Sequence, residues 1–221
     1  MKIGILFDLD GTLIDSLEDL TDSVNYVMDL YNCPRHTLAE VRSFVGTGAK
    51  NLIRKALPGL PTDPPVDEVL EKYRAHYEKN SHNKTRPYDG ILCALDAVRR
   101  KYPVAIVSNK PDKAVKALCK SFFGQDVYAL GEEPPVPRKP APDMVLKAMA
   151  DIGVDKCIYV GDSDIDVQTA QNSGVSVLSV LWGFRDKKDL LAVGATHFCD
   201  DPALLADAID EIVKEQFGDG K

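Results

Sequence analysis

The run Ile3-Gly-Ile-Leu-Phe7 leads directly into two carboxylates, Asp8 and Asp10, and then into Gly11. A short apolar run bounded by a turn signal suits a fully buried strand and is too short for a convincing helix. Asp8 and Asp10 are two apart, so on an extended chain both side chains point to the same side. Two like charges that close repel, and one keeps its proton unless a cation sits between them. The junction therefore predicts a buried strand ending in a site that holds a cation or a shared proton.

The same punctuation recurs. Val104-Ala-Ile-Val107 ends at Ser108-Asn109, and Cys157-Ile-Tyr-Val160 ends at Gly161-Asp162, with Asp164 and Asp166 following. Further strands are expected near Val127–Leu130 and Val175–Val180, and helices over about 91–101, 111–122, 142–151, 166–173 and 202–216. Strands alternating with helices in this way predict an α/β fold, a doubly wound parallel sheet covered on both faces. Residues 15–86 break the pattern. Leu17, Leu20, Val24, Val27, Met28 and Tyr31 recur at helical spacing. A second helix follows Gly46-Thr47-Gly48, and a third carries Val66, Val69, Leu70, Tyr73 and Tyr77. The expected domains are thus a core of 1–14 with 87–221, and an all-helical insert of 15–86.

A formal net charge of −7 argues against a nucleic-acid partner. No apolar run approaches a membrane span, and no basic start with a long apolar stretch suggests a signal peptide. The five cysteines are scattered without a C-x-x-C pair, so buried free thiols in a reducing cytoplasm are expected.

Open α/β sheets bind ligands beyond the carboxyl ends of their strands. If the sheet assembles as read, Asp8 and Asp10, Ser108 and Asn109, Asp162, and Lys139 in the loop Arg138-Lys-Pro-Ala-Pro-Asp143 meet at one rim. Taken singly, an aspartate at such a turn is equally a helix cap, Ser108 a cap and Lys139 a solvated charge. Together they suit a hard cation bound by oxygen beside a phosphate.

"DLDGTLIDS", "SNK", "KPAPD" and "GDSDID", in this order, resemble the four motifs of the haloacid dehalogenase superfamily of phosphohydrolases, over essentially the whole chain. The helical insert resembles that superfamily's small cap domain. Its segment Phe44–Leu57, "FVGTGAKNLIRKAL", resembles the cap of the phosphoglycolate phosphatases. The resemblance implies a magnesium-dependent phosphatase that hydrolyses a small monoester, 2-phosphoglycolate before others, through an aspartyl-phosphate.

It assigns Asp8 as nucleophile and Asp10 as the acid that protonates the leaving group and then activates water. Ser108, Asn109 and Lys139 would hold the phosphoryl group. Magnesium would be held by Asp8, the Asp10 backbone carbonyl and Asp162, with Asp166 binding it directly or through water, or else holding Lys139. Gly46 and Gly48 free amides for a substrate carboxylate, or simply turn the chain into its helix. Asp164 reads as capping or solvated. The expected partner is a small phosphate ester, for a monomer or homodimer. A sugar phosphomutase and a pyrophosphatase of the same architecture are the rival readings. A signalling receiver domain is disfavoured because its phosphorylated aspartate lacks an Asp10-type partner.

Overall fold

The computed structural model describes residues 1–218; residues 219–221, at the end of the stretch expected to form the core, lie outside the described residues. The chain divides into two compact units, Met1–Ile14 with Pro87–Lys221, and Asp15–Arg86. In chain order the elements begin with β1 (Ile3–Phe7), β2 (Ile14–Asp15), α1 (Leu17–Leu30), α2 (Leu38–Phe44), α3 (Ala49–Ala56), α4 (Val66–Asn80) and β3 (Arg86–Pro87). They continue with α5 (Ile91–Arg99), β4 (Val104–Pro111), α6 (Asp112–Phe123), β5 (Tyr128–Glu132), α7 (Asp143–Ile152) and β6 (Lys156–Gly161). The last are α8 (Asp164–Ser173), β7 (Ser176–Val180), α9 (Lys187–Ala192), β8 (His197–Cys199), the 3-10 turn Pro202–Leu204 and α10 (Leu205–Phe217).

Six strands of the first unit form one sheet in the order β5-β4-β1-β6-β7-β8, every neighbouring pair parallel. From β1 the chain first builds outward through β4 and β5, then returns to the other side of β1 for β6, β7 and β8. The order therefore reverses at β1, and such a switch point leaves a crevice at the carboxyl ends of its strands. Register makes the crevice a site. Phe7 lies opposite Ile106 on one side and Val160 on the other. Asp8 and Asp162 thus leave the sheet at nearly the same level as Ser108, which lies on β4 just past its pairing with β1.

The central strands have no solvent face, which is why they read as unbroken apolar runs. On one face Ile5, Phe7, Ile106, Ile158 and Val160 pack against α5, α6 and α10; on the other Leu6, Ala105, Val107, Cys157 and Tyr159 pack against α7, α8 and α9. The second unit is helical and packs α1, α2, α3 and α4 around Leu20, Val24, Val27, Val41, Ile53 and Val69. Buried Asp19, near the start of α1, accepts from the amide and hydroxyl of Thr85 at 2.9 and 2.7 Å, tying the end of the unit to its beginning.

Three details depart from the sequence reading. Helix α2 was not expected, although Thr37 and Glu40 form a capping box at its start, a signal legible as Thr-x-x-Glu. The short elements α9 and β8 were also unforeseen, because three to six residues carry too little periodicity. Of the five free thiols only Cys119, Cys157 and Cys199 are buried; Cys33 is half-buried and Cys93 exposed on the outer side of α5. Among the described residues no helix is long and apolar enough to cross a membrane.

Candidate active site

Three carboxylates, Asp8, Asp162 and Asp166, each offer an oxygen within 4.8 Å of the others at the carboxyl ends of β1 and β6. All three are buried. The Lys139 ammonium, 2% exposed, lies 2.9 Å from Asp8 Oδ1 and 2.8 Å from Asp166 Oδ1. Three carboxylates against one ammonium leave two negative charges out of water, a large penalty unless protons or a cation balance it.

The titration behaviour reflects this crowding. Burial raises the Asp8 carboxyl from its usual 3.8 to about 7; Lys139 opposes the rise and Asp166 adds to it. Burial, with Asp166 and Asp8 beside it, pushes Asp162 well above the carboxylate range, against the pull of the Phe184 amide and the Thr12 hydroxyl. Burial by itself would lower Lys139, but Asp166 and Asp8 outweigh it and hold the ammonium charged. A divalent ion at the cluster would replace those protons, and an all-oxygen donor set suits a hard cation. The residues present therefore fit a divalent metal.

Each carboxylate is held by local structure. Asp162 Oδ1 accepts from the Thr12 hydroxyl at 3.0 Å and Oδ2 from the Phe184 amide at 2.7 Å. Two glycines make room for it. Gly11 has φ +86°, where side chains are rare, and a Cβ there would come within 2.4 Å of Asp162 Oδ2. At Gly183 a Cβ would meet Asp162 Cβ at 2.3 Å and the Gly11 carbonyl at 2.4 Å. Asp166 gives Oδ1 to Lys139, while its Oδ2 accepts from the amides of Asp162 and Ser163 at 3.2 and 3.0 Å and from the Ser163 hydroxyl at 2.6 Å. Both oxygens of Asp166 are therefore engaged within the protein. Asp164, two residues earlier at the start of α8, pairs with Arg185 at 3.1 Å.

Asp10 stands apart from the cluster. Its two oxygens accept from the Lys110 ammonium at 2.7 and 2.9 Å, so the paired aspartates each face a different lysine. Ser108, buried at the end of the apolar part of β4, accepts from the Lys110 amide at 3.3 Å. Asn109 donates its side-chain amide to the Lys139 carbonyl at 2.9 Å, fixing the backbone that carries that lysine. Gly46 and Gly48 belong to the other unit, with φ +119° and +85°, and Gly48 caps α3.

Sequence reasoning passed over Lys110, Thr12, Gly183 and Phe184. Lys110 closes the Ser108-Asn-Lys110 motif, and a lysine just past a buried strand end is a signal of its own. Thr12 follows the glycine turn directly. Gly183 and Phe184 carry no mark in sequence beyond lying after the strand Ser176–Val180.

A family model described as haloacid dehalogenase-like hydrolase matches residues 5–180. The phosphoglycolate phosphatase of Rhodobacter capsulatus is 35% identical over 192 residues, covering 84% of this chain and 87% of that protein. That of Aquifex aeolicus is 31% identical over 81% of this chain and 85% of its own length. Among solved structures, a candidate phosphoglycolate phosphatase from Lactobacillus delbrueckii subsp. bulgaricus superposes with TM-score 0.87 at 35% identity, covering 93% of this chain and 97% of that one. With the reversed parallel sheet and the acidic cluster at its switch point, these matches show that the chain belongs to the haloacid dehalogenase-like hydrolase family, and within it resembles the phosphoglycolate phosphatases.

Proposed function

We propose that the protein is a magnesium-dependent phosphatase that hydrolyses 2-phosphoglycolate to glycolate and phosphate through an aspartyl-phosphate. The observation that carries this reading is the buried cluster of three carboxylates and one lysine, two negative charges in excess, beside Asp8. Asp8, Asp162 and the Asp10 carbonyl would hold magnesium, which when bound neutralises charge on the phosphoryl oxygens. The engaged oxygens of Asp166 favour a role behind Lys139 over direct ligation.

In this reading an oxygen of Asp8 attacks phosphorus, the bond from phosphorus to the alcohol oxygen breaks, and Asp10 gives that oxygen a proton. Asp10, now a carboxylate, takes a proton from water as it attacks the phosphorus of the aspartyl-phosphate, releasing phosphate and restoring Asp8. The Lys110 ammonium, 2.7 and 2.9 Å from the two Asp10 oxygens, holds that side chain in place. Lys139 neutralises charge on Asp8 and the phosphoryl group, and Ser108 and Asn109 position that group, the main work of catalysis in phosphoryl transfer. Residues 15–86 would act as a cap, with the Gly46-Thr47-Gly48 turn as the candidate receptor for the substrate carboxylate. The free thiols and net charge favour a cytoplasmic setting and a small-molecule partner.

The test is phosphate release from 2-phosphoglycolate, sugar phosphates, an aryl phosphate and pyrophosphate, with magnesium and with chelator. Preference for phosphoglycolate of about tenfold or more in kcat/KM, the usual worth of one good polar contact, is expected. Preference for pyrophosphate, or isomerisation of a sugar phosphate without phosphate release, would overturn the substrate assignment.

A further inference from the structure

We infer that Tyr159 is a positioning residue of this site: its hydroxyl holds the Lys139 ammonium in place so that its charge faces Asp8. The inference rests on the proposed role of Asp8 as nucleophile, and deepens it.

An ammonium has three N–H donors. At Lys139 two of them have fixed acceptors, Asp166 Oδ1 at 2.8 Å and the Tyr159 hydroxyl oxygen at 2.8 Å, and Asp8 Oδ1 lies 2.9 Å from the same nitrogen as its ion-pair partner. With two buried acceptors and the Asp8 carboxylate in fixed places, the ammonium is held in one position. The Tyr159 oxygen receives Lys139 because its own proton is already given to the Val107 carbonyl at 3.1 Å. The contact is to the hydroxyl, since the ammonium is 5.3 Å from the ring centroid and 2.8 Å from the oxygen. Burial keeps the phenol protonated, its titration pushed well above the usual value.

The fold explains how this tyrosine arrives there. Tyr159 lies on β6 opposite Leu6 of β1, and its side chain passes β1 to reach the end of the regular pairing of β4. Tyr159 is fully buried in the cluster that holds Leu6, Val107 and Met144. A phenylalanine would fill this space equally well. The hydroxyl is what joins the strand that follows the switch point to the lysine that faces the nucleophile.

Tyr159→Phe removes one oxygen and leaves an N–H of Lys139 without its acceptor. Three measurements test the inference. Thermal denaturation establishes that the variant is folded. Proton–nitrogen correlation NMR of isotope-labelled protein without substrate reads the Lys139 ammonium, assigned by its absence in Lys139→Met. A hydrogen-bonded buried ammonium gives a slowly exchanging signal in the wild type, and this signal should shift or vanish in Tyr159→Phe. Steady-state kinetics should show kcat reduced about tenfold, the usual scale for a misplaced catalytic group, with KM nearly unchanged. An unaltered ammonium signal, or an unaltered kcat in the folded variant, overturns the inference. Wild-type protein without turnover on any phosphate ester would instead overturn the proposed function, and the ammonium signal would still decide whether Tyr159 holds Lys139.

Discussion

Replacing Asp8 with asparagine should abolish turnover and, without metal, make the protein more stable above neutral pH. The Asp8 carboxyl titrates near 7 in the folded chain against an ordinary 3.8. The folded state therefore holds this proton more tightly than the unfolded state. The stability it contributes is whole below about pH 4 and is lost as the pH rises to about 7. Taken in full, the rise corresponds to about 4 kcal/mol. Asparagine cannot reproduce the ion pair with Lys139 at 2.9 Å, and Asp8 titrates together with its neighbours, so about half, roughly 2 kcal/mol, is expected. For a chain of this size that raises Tm by roughly 4–8 °C. The assay is thermal denaturation of wild type and Asp8→Asn in chelator, near pH 8 and near pH 4. The gain should appear only at the higher pH and shrink when magnesium is added, because the cation relieves the same crowding in the wild type. Equal Tm values at both pH values would refute the account of the cluster as excess buried charge.

Gly183→Ala pushes a methyl group against Asp162 and the Gly11 carbonyl; about 1–3 kcal/mol of stability should be lost and half-maximal activity should need about tenfold more magnesium, read from a magnesium titration. Lys110→Met removes both contacts to Asp10 and should cost about 3 kcal/mol by denaturant titration, together with most of the turnover. Calcium should bind and inhibit, because its larger and looser oxygen shell disturbs Asp8; full activity in calcium alone would contradict this. Gly48→Val should raise KM for phosphoglycolate more than for an aryl phosphate, whereas equal effects on both would assign the turn to a general role.

The fold class was legible because its signals are local. Ile3–Phe7, Val104–Val107 and Cys157–Val160 are apolar on both faces, as strands covered by helices on each side must be. Elements too short to show a period, such as His197–Cys199, were lost for the same reason. The aspartates, the serine and Lys139 stood out because polar residues at buried strand ends are uncommon and recurred in order. The family resemblance rested on those same strand-end motifs.

By itself the sequence determined which residues end each strand, that the strands are buried, and that like charges gather where they stop. Only the tertiary structure decided which charge meets which. Asp10 and Lys110 are 100 residues apart and pair directly. Lys139 finds Tyr159, 20 residues on, through a sheet register that no local pattern encodes. The crowding at Asp8 is likewise a property of the assembled site, since desolvation exists only once Thr12, Gly183 and Phe184 close around Asp162. Local propensity acts over a few residues, whereas the partner and the dielectric of a buried charge are set by chain segments that only folding brings into contact.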